Sequence, residues 1–157
     1  MLTMFQWLER GWLGTSVNNS VWAFAAIEAG HLLALAIIGG AVLVVDMRVL
    51  GFMFRRQPVA EIAAQARPWL LWSLVAMIVT GVPLFASLAA SKYYVNEAFR
   101  LKMYCFGAAL LYTFTIRQRI ITAGESLANS VGAKAVALGS VLLWSGVGIL
   151  GRGIGFW

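Results

Sequence analysis

The chain has 157 residues, 61% of them hydrophobic and 11% charged. An ordinary soluble domain is roughly half apolar and about a quarter charged, so a water-soluble fold of this size lacks the polar surface to hide what it carries. The net charge of +6 does not point to nucleic acid, because the basic residues flank apolar runs and form no stripe with interleaved aromatics; they read as topology signals.

The first twenty residues carry no secretory signal, since Glu9 and Arg10 fall where an apolar centre would be required. Leu2 to Leu13, with Phe5, Trp7, Leu8 and Trp12, reads as a short amphipathic helix lying at a membrane interface. Val21 to Val45 is apolar apart from Glu28 and His31. At about 1.5 Å per residue it is long enough to cross a hydrocarbon core of roughly 30 Å. Further spans are expected at about 69–90, 98–116 and 135–152, with short connections that make neighbours antiparallel. The expected architecture is all-α: one transmembrane domain over residues 1–157, a four-helix bundle with an interfacial helix in front.

Seven cations fall between spans one and two or three and four: Arg48, Arg55, Arg56, Arg67, Arg117, Arg119 and Lys134. Five fall on the other side: Arg10, Lys92, Arg100, Lys102 and Arg152. The excess places both termini outside the cytoplasm, in the periplasm for a Gram-negative inner membrane. Small residues at Ala26, Gly30 and Ala34, at Ala36 and Gly40, and through the last helix from Ala135 and Gly139 onward allow close helix packing or self-association into a homo-oligomer.

Ionisable groups at membrane depth cost at least about 2.5 kcal/mol, so each needs a partner or a role. Glu28 and His31, three apart, share one helical face. Asn96 and Glu97 read as an N-cap with an acidic first turn. Arg100 and Lys102 follow where the helix dipole disfavours cations, which calls for an anion: Glu28, a lipid phosphate, a carboxylate substrate or haem propionates. Pro83 is expected to kink the second span at the same level. Asp46 and Arg48 close the first span as an interfacial anchor, and Trp144 is expected to donate its indole N–H to Ser140.

His31 is the single histidine, a candidate haem or metal ligand. Glu28 three residues before it matches the Glu-x-x-His spacing of carboxylate metal sites. Met77, Met103 or the His31 of a second copy are candidates for a second axial ligand. Cys105, alone in an apolar run, excludes an internal disulfide and paired-cysteine metal motifs; it reads as a small hydrophobe, with copper ligation as the other option.

The segments Glu28-Ala29-Gly30-His31-Leu32-Leu33, Val45-Asp46-Met47-Arg48-Val49-Leu50-Gly51, Arg67-Pro68-Trp69, Thr80-Gly81-Val82-Pro83-Leu84-Phe85 and Asn96-Glu97-Ala98-Phe99-Arg100-Leu101-Lys102 resemble a bacterial family of small inner-membrane proteins, domain of unknown function 6644. The resemblance runs in order from about residue 20 to residue 120. It implies that His31, Asp46 with Arg48, and Asn96, Phe99 and Lys102 are the family's motif positions. The chain is also distantly similar to copper-resistance D type membrane proteins, although one histidine does not make a copper path.

These features lead to the expectation of a protein that binds b-type haem, or copper or another metal ion, through His31, with Arg100 or Lys102 against propionates. Its role would be electron transfer to a redox partner or within a larger membrane complex. The alternatives are a small oligomeric transporter or export component, and an accessory scaffold subunit. No nucleophile triad or phosphate loop is present, so a stand-alone enzyme is not expected.

Overall fold

The computed structural model describes residues 2–88, 92–93 and 96–154, and every regular element among them is helical. Two short helices, α1 (Leu2–Arg10) and α2 (Trp12–Asn18), precede α3 (Val21–Leu50), α4 (Val59–Ser87) and α5 (Glu97–Tyr112). A π-helical turn at Thr113–Arg117, then α6 (Gln118–Thr122), α7 (Glu125–Ala128) and α8 (Val131–Gly153), complete the order. Ala90, the expected end of the second span, and the glycine-rich tail from Gly155 to Trp157 lie outside the described residues.

Three helices, α3, α4 and α8, are long and apolar enough to cross a membrane, and the chain is a membrane protein. The expected third span differs from these. As a regular α-helix it is only 16 residues long and carries Arg100 and Lys102 near its start; it then runs without a break through the π turn into α6. α3 packs on α4 and α8, and α8 on α5. The bundle therefore has a terminal end, where α3 begins and α4 and α8 finish, and a loop end, where α3 and α4 are joined and α6, α7 and the start of α8 gather.

Sequence explains the ends. Ser20, Asn96 and Ser130 each accept a hydrogen bond from the backbone N–H three residues on, at 3.2, 2.9 and 3.1 Å, capping α3, α5 and α8. Gly51 stops α3 in a left-handed conformation, φ 83°. α4 starts ten residues before the expected Trp69, because Val59 and Ile62 join Val45, Val49, Ile121 and Ala133 in a second core at the loop end. Pro68, just before the expected start of this span, lies inside α4, and so does Pro83. The latter leaves the Val79 carbonyl without its helical donor, yet α4 continues to Ser87 as one helix.

The N-terminal segment corrects the expectation of a single helix over Leu2 to Leu13. It breaks at Gly11, reaches Asn18 and folds back on α4. Asn18 Nδ2 donates to the Ser87 carbonyl at 2.7 Å. Gly14 lies so near that a Cβ there would come within 2.3 Å of the Glu9 carbonyl oxygen and 2.9 Å of that of Ala86. Trp7 and Trp12 stay 74% and 79% exposed, the arrangement an interfacial helix needs.

The main core joins Ala34, Ile38, Val42, Met77, Ala109 and Trp144. Trp144 donates to Thr113 Oγ1 at 3.1 Å, not to Ser140; the π turn brings that threonine inward, which α-helical spacing does not foretell. Of the small-residue stripes, Gly30 and Ala34 face the interior, with Gly30 near Thr80, whereas Ala36 and Gly40 are exposed.

Candidate functional site

His31 of α3 faces α4, and Lys102 of α5 lies near enough for its charge to be felt there. The imidazole projects from α3 onto α4, where a Cβ at Gly81 would come within 3.1 Å of Cε1, so glycine is what admits the ring. Nδ1 lies 3.0 Å from Thr80 Oγ1. That hydroxyl donates its one proton back along α4, to the Ala76 carbonyl at 2.7 Å, and so serves as acceptor for an Nδ1–H. A ring that donates Nδ1–H to this hydroxyl keeps its lone pair on Nε2, the state in which histidine binds metals or protons.

Lys102 comes from α5 and lies along α8, its Nζ within 3.4 Å of where a Cβ at Gly151 would sit. It is half-buried, close enough for its charge to act on His31, and among the described residues it has no ion-pair partner. His31, Thr80 with Gly81, Lys102 and Gly151 thus come together. The expected Glu28 does not complete the group. It is exposed on α3, and Arg100 pairs instead with Glu97, its neighbour one turn back, at 3.6 Å in an exposed contact.

Met77 is 5% exposed within the core, one turn below Thr80, whereas Met103 is 48% exposed on the outside of α5. Only the first belongs to this neighbourhood. Among the described residues no three of His, Cys, Asp and Glu gather as a metal-ligating set. Cys105 is a free, partly buried thiol packed against the core.

Above the site, Phe5, Phe85, Tyr93 and Phe99 form an aromatic stack that the sequence did not announce. Tyr93 and Phe99 centroids are 4.7 Å apart, Phe85 and Phe99 5.5 Å, and Phe5 meets Phe85 edge-on at 5.7 Å. Burial pushes the Tyr93 phenol above its ordinary range, and the nearby charge of Glu28 adds to this. Phe99 of the Asn-x-x-Phe-x-x-Lys motif is thus a packing residue, and Asn96 is the cap that aims α5.

Asp46 and Arg48 have work beyond an interfacial anchor. Asp46 is 1% exposed and accepts from Arg117 Nε at 2.6 Å, while Arg117 also donates to the Val42 carbonyl at 3.0 Å. The Ser140 hydroxyl faces the same carboxylate; neither Asp46 Oδ2 nor the hydroxyl has a direct hydrogen-bond partner, and a cavity of about 10 Å³ lies alongside Asp46, about the size of one water. Arg48 donates to the Gln57 carbonyl at 2.7 Å and to Glu125 at 2.9 Å. The other oxygen of Glu125 receives the Val59 N–H at 2.5 Å. Arg117 is therefore a structural cation, although it reads in the sequence as a topology signal.

A family model for the family of unknown function DUF6644 matches residues 4–157, and the chain belongs to that family. No curated protein and no solved structure matches it.

Proposed function

We propose that this DUF6644 chain is a membrane-embedded cofactor-binding protein in which His31 ligates b-type haem, or copper or another metal ion in its place. What carries the reading is the orientation of one ring: Thr80 engages Nδ1, Gly81 makes room, and Nε2 is left as a donor atom. Lys102 next to it supplies the cation that a propionate or another anionic group would meet. Met77, or His31 of a second copy, would supply a further ligand, and the second option makes the protein a homo-oligomer. Bound haem supplies one-electron chemistry; the chain's own residues hold the ring, exclude water and fix the charge beside it.

In this reading the helical stretch from α5 through the π turn into α6 is the fourth span, shielded on one side by α8. The loop end, with Arg55, Arg56, Arg67, Arg119 and Lys134, faces the cytoplasm of a bacterium and both termini face the periplasm. The site then exchanges electrons with a periplasmic redox partner or a larger membrane complex. Detergent-purified protein examined by absorption spectroscopy, oxidised and dithionite-reduced, with metal analysis of the same sample, tests this. A haem spectrum or a stoichiometric metal that disappears in His31→Ala supports the assignment; a colourless, metal-free protein after haem and metal supplementation removes it.

A second reading rests on Glu28, an exposed carboxylate within a membrane-spanning helix, which needs a covering surface. A transport or export assembly, or an accessory subunit docked on a larger complex, would provide one. Activity lost in His31→Ala without any chromophore favours transport, and loss of complex assembly in Glu28→Leu favours the accessory role.

A further inference from the structure

We propose that the groove between α3 and α4 at the loop end is a binding site for an anionic phospholipid, with an acyl chain along the helices and the phosphate at Arg55 and Arg56. The groove encloses about 370 Å³ and is lined by Ile37, Gly40, Ala41, Val44, Ile62 and Ala66, a volume in the range of small-ligand sites. From Ile37 to Val44 it follows α3 for about 10 Å at 1.5 Å per residue. Gly40 is what keeps it open, since nothing lies within 4 Å of where its Cβ would be.

At the loop end Gln57 contributes a polar side chain and Phe54 closes the wall, while on α4 Gln65 lies midway along the groove and Trp69 at its far end. Phe54 has φ 53°, a left-handed conformation that a bulky side chain seldom adopts, and strain of this kind persists where a site requires it. Directly after it stand Arg55 and Arg56, both exposed. Arg55 is steadied through Nε by the Gly51 carbonyl, which leaves its terminal amines free to face an anion. Neither arginine is paired with a carboxylate among the described residues; Glu61, on the first turn of α4, is exposed and unpaired as well, and Glu125 is committed to Arg48.

An apolar channel in membrane-spanning helices, a polar mouth and two unneutralised cations match a phospholipid with a negative headgroup, and basic pockets between such helices are where these lipids bind. A second copy of the chain fits less well. A two-fold axis along the membrane normal would bring the Arg55 and Arg56 pairs of both copies to one level, where like charges repel.

The full chain, purified in a non-ionic detergent, is titrated with phosphatidylglycerol, phosphatidylcholine and inorganic phosphate, and read by native mass spectrometry and thermal unfolding. Phosphatidylglycerol is expected to remain bound and raise the unfolding temperature. Affinity is expected to fall about tenfold or more in R55Q/R56Q, given the contribution of each cation near a headgroup, and binding to be lost in Gly40→Leu, which fills the channel. Equal retention of phosphatidylglycerol and phosphatidylcholine, unchanged binding in R55Q/R56Q, or equal stabilisation by inorganic phosphate overturns the proposal. So does a Gly40→Leu protein that keeps the lipid and dissociates into smaller oligomers.

Discussion

At the loop end every buried charge is matched: Asp46 with Arg117, Arg48 with Glu125, and the leftover donors go to the Val42 and Gln57 carbonyls. At the terminal end, among the described residues, Lys102 is half-buried without a counter-ion, Glu28 is exposed without one, and Nε2 of His31 is uncommitted. The two ends belong to the same helices and are built from the same kinds of residue. These matched charges tie α3 to the π turn and to α7. Unmatched ones in an apolar setting carry a standing cost, and such groups are where binding chemistry is found.

The contrast makes its strongest demand at Asp46. Asp46→Ala strands the Arg117 guanidinium in the interior and is expected to cost about 3–5 kcal/mol, the range for a buried pair broken on one side, seen as a lower unfolding midpoint by tryptophan fluorescence in detergent. Asp46→Asn with Arg117→Met should recover most of it, since a buried pair replaced as a unit is often neutral. A single substitution as mild as a surface change would show that the loop end is not locked this way. Arg48→Ala comes next, at about 1.5–3 kcal/mol for its charge-assisted hydrogen bonds; Glu125, 44% exposed, remains solvated when its partner is removed.

At the terminal end the same measurement should register little. Thr80→Val removes one hydrogen bond from His31, about 1 kcal/mol, and the consequence to look for is chemical: the ring loses its orientation and with it any bound cofactor. Glu28→Gln should change monomer stability by no more than about 0.5 kcal/mol, as surface positions do, while altering assembly if another subunit covers that face. A stability loss at Glu28 as large as that at Asp46 would erase the distinction between the ends.

Much of this frame can be read from the sequence. The apolar runs of α3 and α8, the Asn96 cap and the nearness of His31, Lys102 and the Thr80-Gly81 stretch all follow from period, depth and residue type. What escapes is pairing between distant positions. Asp46 and Arg117 are 71 residues apart, and the π turn that rotates Arg117 inward leaves no mark in hydropathy. Asp46 did give a signal, a carboxylate at the end of an apolar run that requires a partner, but an interfacial anchor satisfies the same pattern. Val59, Ile62, Ala63 and Ala66 have helical spacing before Pro68, yet a proline argues for a boundary more strongly than four small apolar residues argue against it. The stack of Phe5, Phe85, Tyr93 and Phe99 draws on separate segments, so no local pattern contains it.

For His31 to hold a cofactor in this way, it must carry its proton on Nδ1 and present Nε2 as a lone pair. With one histidine in the chain, selective 15N-histidine labelling yields a single imidazole, and its two nitrogen chemical shifts in detergent or bilayer report the tautomer directly. The cofactor-free protein is predicted to show a protonated Nδ1 and an unprotonated Nε2, with the proton moving between sites in Thr80→Val. A wild-type ring protonated at Nε2, or at both nitrogens near neutral pH, would contradict the account.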